Sequence, residues 1–316
     1  MTPTVTAVII NYNGRRFLPE LFETIDAQRY SRFELLVIDG GSTDRSGEWI
    51  RSNRPGTRLI EVSENLGFAR AANLGLRETT TRYTLLLNTD LFLEPDFIGE
   101  LLETIESDSG LAAVASKMRL YDQQGVINGV GGCMNRLGYT WDRGMLEEDK
   151  GQYDKPADVL FAPAAAAIFR RQALLDAGAF DERFFMYHED VDLSWRLWLF
   201  GQRITTAPRA IVYHHFGGVT RQTKGMVWRE LLGERNNLRS LLKNYELPTL
   251  KGVLRDHLMI PYKGKRKIAQ FRNFLWNIGC LPDTLRLRRE IQKRRVCSDQ
   301  DLKHLILQAN EVPIRI

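Results

Sequence analysis

Residues 34–44 read ELLVIDGGSTD: a β-branched apolar run closing on an acid, two glycines and a polar turn. The run fits a buried strand, with Asp39 at its carboxyl end. Gly40 and Gly41 lack a β-carbon and let the backbone come close to a ligand. Ser42 or Asp44 is placed to cap a following helix. The same design recurs on either side. VTAVII (5–10) runs into Asn11-Tyr12-Asn13, LIEV (59–62) is a short strand, and TLLL (84–87) runs into Asn88-Thr89-Asp90. Between them, residues 14–27 put Phe17, Leu18, Leu21, Phe22 and Ile25 on one helical face, and 67–78 also fit a helix. Strands alternating with helices predict an α/β fold with a mostly parallel, doubly wound sheet. Such sheets bind ligands beyond the carboxyl ends of their strands, where the three polar clusters lie. Taken singly, each cluster reads equally as a capped turn.

Further along, the pattern loosens. Gly129 to Gly132 holds three glycines and predicts a flexible loop, PAAAAIF (163–169) fits strand or helix, and 190–200 fits a helix. Long basic amphipathic helices follow Gly217-Gly218, so the expected division is an α/β unit over 1–216 and a helical extension over 217–316.

The chain has 316 residues, 43% hydrophobic and 26% charged, which suits a packed core rather than disorder. Its three cysteines show no CxxC spacing, which fits a reducing compartment and argues against a disulfide scaffold or a structural zinc site. No run of eighteen apolar residues and no leader-like N-terminus is present, so the expected location is cytoplasmic. Residues 1–216 carry 23 Lys and Arg against 30 Asp and Glu, a net of −7; residues 217–316 carry 21 against 9, a net of +12. The acidic part suits a metal site. The basic part suits an anionic partner, either nucleic acid or a membrane surface.

Some residues carry chemistry. Asp90, at a strand end, is placed to bind Mg²⁺ or Mn²⁺, which prefer oxygen ligands and bridge diphosphate oxygens. His188-Glu189-Asp190-Val191-Asp192 opens a helix. Its acids serve as caps, as partners of Arg196, or as a general base. Val212-Tyr213-His214-His215 offers an imidazole to complete a metal shell.

Six segments, VTAVIINYNGRRFL (5–18), ELLVIDGGSTD (34–44), ENLGFARAANLGL (64–76), YTLLLNTDLFLEPD (83–96), GAFDERFFMYHEDVDLSWRLWLFGQRI (178–204) and AIVYHHFGGVT (210–220), closely resemble family 2 glycosyltransferases, above all the rhamnosyltransferase branch. The resemblance covers roughly residues 4–220. It implies a GT-A fold over 1–216, a nucleotide-sugar donor, a divalent cation, and inversion at the anomeric carbon. By position, Asn11, Tyr12, Asn13 and Asp39 would contact the nucleotide, with Asp39 on the base, and Asn65, Arg70 and Asn73 lie in the donor segment. Asn88, Thr89 and Asp90 match the DxD-like motif, with Asp90 the metal ligand. Asp190 matches the catalytic base, with Glu189 and Asp192 as secondary candidates. His214 matches the metal-site histidine, with His215 as the alternative. Two positions depart from the usual pattern. Asn88 replaces the first acid of DxD, as the rhamnosyltransferase branch often has it, and Gly40 stands where many relatives carry Asn. The branch suggests dTDP-rhamnose first, then UDP- and GDP-sugars, and a saccharide or polyprenyl-linked glycan acceptor.

In the extension, Ile268, Phe271, Leu275 and Ile278 share a helical face that Phe274 widens and Trp276 borders, with Lys263, Lys265, Arg266, Lys267 and Arg272 around it. Such a helix lies on the anionic inner face of the cytoplasmic membrane, or packs on the α/β unit or on a second subunit. No helix-turn-helix, zinc-finger or RNA-binding signature supports nucleic acid. Intact Asp39, Asp90, Asp190 and His214 argue against a catalytically silent scaffold.

Overall fold

The computed structural model describes residues 3–216, 226–258 and 265–307. The expected boundary at 217 and Lys263 lie outside the described residues. The first part alternates as expected: β1 (Val5–Asn11), α1 (Leu18–Asp26), β2 (Phe33–Asp39), α2 (Ser46–Asn53), β3 (Arg58–Glu61), α3 (Gly67–Glu78) and β4 (Tyr83–Asn88). Then come β5 (Leu91–Leu93), α4 (Phe97–Glu106), β6 (Leu111–Leu120), β7 (Ile127–Val130), β8 (Gly132–Asn135), β9 (Thr140–Asp142), β10 (Ala166–Arg170), α5 (Arg171–Asp176), α6 (Glu189–Leu199) and β11 (Arg203–His214). The extension holds α7 (Met226–Asn244), α8 (Leu247–Leu258), α9 (Lys265–Gly279), α10 (Leu281–Arg294) and β12 (Ile306–Leu307).

The main sheet runs β3-β2-β1-β4-β10-β6-β11-β5, with β7 on β6. Its first four strands are parallel; beyond them β10 runs antiparallel to both β4 and β6, while β11 is parallel to β6. The sheet is therefore parallel at one end and mixed at the other. The apolar strands are buried on both faces: Val5, Ala7 and Ile9 join one hydrophobic layer and Val8 the other. Register aligns the strand ends, with Asn11 beside Asp39 and Ile10 beside Asn88. Chain order reverses at β1, so these ends border the switch-point crevice.

Two local expectations change, and one left open between strand and helix is resolved. The first helix begins only at Leu18, because a turn from Gly14 O to Phe17 N precedes it. Residues 166–170 are strand. The Gly129–Gly132 segment is not a flexible loop but the meeting of β7 and β8. A β-carbon on Gly129 would fall 2.7 Å from that of Asp142, so the glycine serves close strand packing.

The extension is not separately cored. Leu241, Tyr245, Leu250, Val253 and Ile291 join the same hydrophobic cluster as Trp195 and Leu197 of α6, and β12 pairs with β8. A buried ion cluster adds to this. Lys243 Nζ reaches Asp181 Oδ2 at 2.6 Å and Asp192 Oδ2 at 2.9 Å, and Arg239 Nε reaches Asp181 Oδ2 at 2.8 Å.

Candidate active site

A cleft of about 580 Å³ opens at the switch point. Asn11 and Tyr12 line it from β1, Gly40 from β2, and Asn65, Gly67, Phe68 and Ala71 from the start of α3. Asn88, Thr89 and Asp90 come from the end of β4, Phe185 and Met186 from the loop before α6, and Trp228 from α7. Six of the predicted residues thus meet in one cavity. Gly67 has φ +71°, and a β-carbon there would sit 2.2 Å from the Phe185 carbonyl oxygen, so only glycine lets these two walls touch.

Four predicted donor residues stand behind or beside the lining. Asp39 is buried, accepting from Asn11 Nδ2 at 2.6 Å and from the Ser42 backbone N–H at 2.8 Å. Asn13 accepts from the Thr43 N–H at 2.7 Å. Both shape the loop whose Gly40 forms the wall. Asn73 is a brace rather than a lining residue: its amide donates to Phe180 O at 2.9 Å and accepts from Phe180 N at 3.0 Å, holding the loop that leads to Phe185. Arg70 is exposed on the first turns of α3.

Asp90 is buried, and its Oδ1 lies 3.5 Å from His214 Nε2. On the other side of the ring, His214 Nδ1 lies 2.6 Å from Asn128 Oδ1. An amide oxygen only accepts, so Nδ1 donates to it, and Nε2 is the ring nitrogen left facing Asp90. A carboxylate oxygen and a ring nitrogen facing each other can share a cation, and the Asn128 contact is the outer support that ligating histidines usually have. Among the described residues no three His, Cys, Asp or Glu form a metal-binding group. Asp90 and His214 would therefore supply two ligands, leaving the rest to diphosphate oxygens and water, a division common for Mg²⁺. His215 faces away: it stacks on Tyr121 at 3.6 Å and approaches Glu20 Oε2 at 3.4 Å.

Asp190 opens α6 with Oδ1 accepting from Val191 N at 2.8 Å and Oδ2 from Ala164 N at 3.3 Å. Next to Ala164, Ala165 O accepts from Asn88 N at 2.8 Å, so this short segment ties Asp190 to the Asn88–Asp90 turn. Burial raises the Asp190 pKa, against the backbone donors that lower it. Glu189 is buried with Oε2 lacking a partner, and burial together with Asp190 raises its pKa well above normal. Asp192 points elsewhere, into the ion cluster under α7.

Three groups escaped the sequence reading. Asn128 has no motif around it. Asp142, on β9, is close enough to Asp190 and His214 to feel both; burial and Asp190 push it up to about 7, and His214 partly offsets them. Trp228 was also missed, because the basic extension gives no sign of entering the cleft.

His188, beside this site, is buried with Nε2 unpartnered, and burial pulls its pKa down to about 4. Below an unfolded value of about 6.5 the unfolded chain takes up a proton that the folded one refuses. Stability is thus expected to fall between pH about 6.5 and about 4 by roughly 3 kcal/mol from this group alone. His188→Asn, which tolerates the φ of +73°, should flatten that part of the urea-midpoint profile, whereas an unchanged profile rejects the assignment.

A sheet parallel at one end and mixed at the other, with a crevice of about 580 Å³ at its switch point, is an α/β arrangement of the GT-A class. Residues 6–177, more than half of the chain, match the family described as Glycosyl transferase family 2. The chain belongs to that family. It is 24% identical over 228 residues to poly-beta-1,6-N-acetyl-D-glucosamine synthase of Staphylococcus aureus (strain COL), covering 72% of this chain and 52% of that protein. The chain therefore spans about half the length of the curated relatives it matches. Its fold is similar to GalNAc-T7 solved with UDP, GalNAc and Mn²⁺ (TM-score 0.63, 14% identity, 86% of this chain and 54% of that one). It is also similar to S. aureus TarS 1-349 in complex with UDP-GlcNAc (TM-score 0.57, 16% identity, 82% and 72%).

Proposed function

We propose that the chain transfers a sugar from a nucleoside-diphosphate donor to a hydroxyl of a saccharide or polyprenyl-linked glycan, with inversion, in cell-surface polysaccharide synthesis. The observation that carries this reading is the facing Asp90–His214 pair, whose aspartate lines the switch-point cleft, with Asp190 one short segment away. Asn11, Gly40 and the start of α3 hold the donor. Asp190 accepts the proton of the acceptor hydroxyl as its oxygen attacks the anomeric carbon opposite the leaving diphosphate, and one in-line displacement inverts the centre. A bound Mg²⁺ or Mn²⁺ supplies charge neutralisation for the leaving diphosphate. The GlcNAc-polymer synthase among the relatives, and the UDP and Mn²⁺ in the solved neighbours, support this class of reaction.

For the donor we retain dTDP-rhamnose. The six-segment resemblance supports it, and the apolar part of the cleft wall (Ile10, Phe68, Ala71, Met186) suits a 6-deoxy sugar with its methyl group. UDP-GlcNAc is the competing donor, favoured by the TarS complex. The free thiols Cys133, Cys280 and Cys297 suit a cytoplasmic site of action.

A thermal-shift panel of dTDP-rhamnose, UDP-GlcNAc and GDP-mannose, each with Mn²⁺ or with chelator, tests the reading. Stabilisation by a donor should require the metal, with dTDP-rhamnose giving the largest shift. Asp90→Asn should weaken metal-dependent donor binding at least about tenfold, and His214→Ala less, since Asp90 brings the charge. Donor binding that is indifferent to metal and to Asp90→Asn overturns the metal assignment. A largest shift with UDP-GlcNAc moves the donor to that sugar.

A further inference from the structure

Helix α9 is mounted with its polar face inward. Asn273 Nδ2 donates to Leu231 O at 2.8 Å, Asn277 Nδ2 donates to Arg235 O at 3.0 Å, and Gln270 bonds Glu234, all on α7. The Arg235 guanidinium lies 4.1 Å from the Trp276 ring centre and closes that contact. The apolar face consequently points outward: Ile268 is 65% exposed, Phe271 60%, Phe274 52%, and Leu275 and Ile278 49% each. Leu281 and Leu285, in the first turns of α10, are exposed as well. The sequence pattern alone left open whether this face packs on the α/β unit. The inward asparagines rule that packing out, and a continuous apolar strip of this kind marks an interaction surface.

Charge selects the occupant. Residues 265–294 hold nine Lys and Arg against two acids, a net of +7. Arg272 on α9 and Arg289 on α10 are exposed and make no hydrogen bond or ion pair among the described residues. A second copy docked on this face would bring two such surfaces together, against mutual repulsion. An anionic bilayer offers phosphates to the cations and acyl chains to the aromatic side chains. Among the described residues no helix is long and apolar enough to cross a membrane.

We infer that the outer face of α9, together with α10, docks on an anionic lipid surface in the plane of the interface. Trp228 of α7 lines the cleft and α7 carries α9, so docking brings the site within one helix of the bilayer. The link to a polyprenyl-linked acceptor rests on the proposed function; the docking itself does not.

The test is co-sedimentation of the full chain with phosphatidylcholine vesicles, with and without phosphatidylglycerol. Binding should require phosphatidylglycerol and weaken with salt. Arg272→Gln with Arg289→Gln should cost about fivefold per charge. Phe271→Ser with Phe274→Ser should cost about tenfold or more per ring. All four side chains are exposed, so melting temperature and donor binding should stay as in the parent, and donor binding reports on the cleft independently of the vesicles. Absence of vesicle binding by the parent, or binding indifferent to the serine pair, overturns the inference. So does a dimer in sedimentation velocity that the serine pair dissolves and vesicles leave intact; the face then joins two copies of the chain.

Discussion

Asp190→Asn is expected to lower turnover by about 10²–10⁴-fold while leaving donor affinity within a few-fold. An amide has almost the shape of the carboxylate and its one oxygen can keep the 2.8 Å bond from the Val191 N–H, so the start of α6 should hold, while its NH₂ gives up the longer 3.3 Å contact from the Ala164 N–H. It has no proton affinity to offer an acceptor hydroxyl. In the proposed function the donor meets the walls around Asn11, Gly40 and Asp90, to which Asp190 makes no direct hydrogen bond; its link to them runs through the backbone of residues 164–165. Burial raises the Asp190 pKa, so the parent's rate should fall on acidification along a limb lying above the ordinary carboxylate range, because the base acts only when deprotonated. Glu189→Gln and Asp142→Asn are the necessary companions. Glu189 is buried beside Asp190, and both burial and that neighbouring carboxylate raise its pKa. Asp142 lies near enough to contend for the role. Steady-state turnover and donor affinity for the three variants decide between them. Near-normal turnover in Asp190→Asn beside an inactive Asp142→Asn or Glu189→Gln would hand the base to that residue.

The parts of this site that were legible in the sequence are those that local pattern controls. A buried parallel strand is apolar along its whole length and ends where polar chemistry begins, so Asn11, Asp39 and Asn88–Asp90 announce themselves at the ends of VTAVII, ELLVI and TLLL. His214 was legible for the same reason, at the end of β11. What escaped depends on contacts between distant segments. Asn128 is 86 residues from the imidazole it orients, and Asp142 stands on a three-residue strand with no periodicity of its own. The glycines at 129–132 looked like a hinge because sequence cannot distinguish a glycine that bends from one that lets a neighbour approach. Asn73 shares a segment with cleft-lining residues, but α3 turns its amide toward the backbone of Phe180. The inward asparagines of α9 were equally invisible, since an amphipathic pattern states that a helix has two faces and not which one meets the protein.

Asp192 is where the motif reading and the structure separate most. Grouped with Asp190 by sequence, it is fully buried and engages four donors: Arg196 Nε at 3.0 Å, Lys243 Nζ at 2.9 Å, Ser240 Oγ at 3.0 Å and Asn244 Nδ2 at 3.2 Å. Three of these belong to α7, so one carboxylate joins the α/β unit to the extension. Burial alone would raise its pKa, but Lys243 and Arg196 outweigh burial and hold it below the usual range. Asp181 is depressed in the same way by Lys243 and Arg239, and Asp283 to about 2 by Arg239, Arg286 and Arg183. Carboxylates depressed in the folded state contribute stability above their unfolded pKa that is lost as pH falls through the folded value. This cluster should therefore begin to fail below pH about 4. Asp192→Ala leaves Lys243 and Arg196 short of a counter-charge inside the protein, a change that typically costs about 3–5 kcal/mol. The expected result is a melting temperature lower by on the order of 10 °C, with metal-dependent donor binding retained at low temperature by the molecules that remain folded. Asp192→Asn should fall between the two, since its oxygen keeps two donors while its NH₂ faces the others. Exposed Asp176→Ala is the control and should move the midpoint little. An Asp192→Ala protein that melts with the parent but has lost donor binding would mean that Asp192 serves the cleft and that the extension is held by its apolar contacts alone.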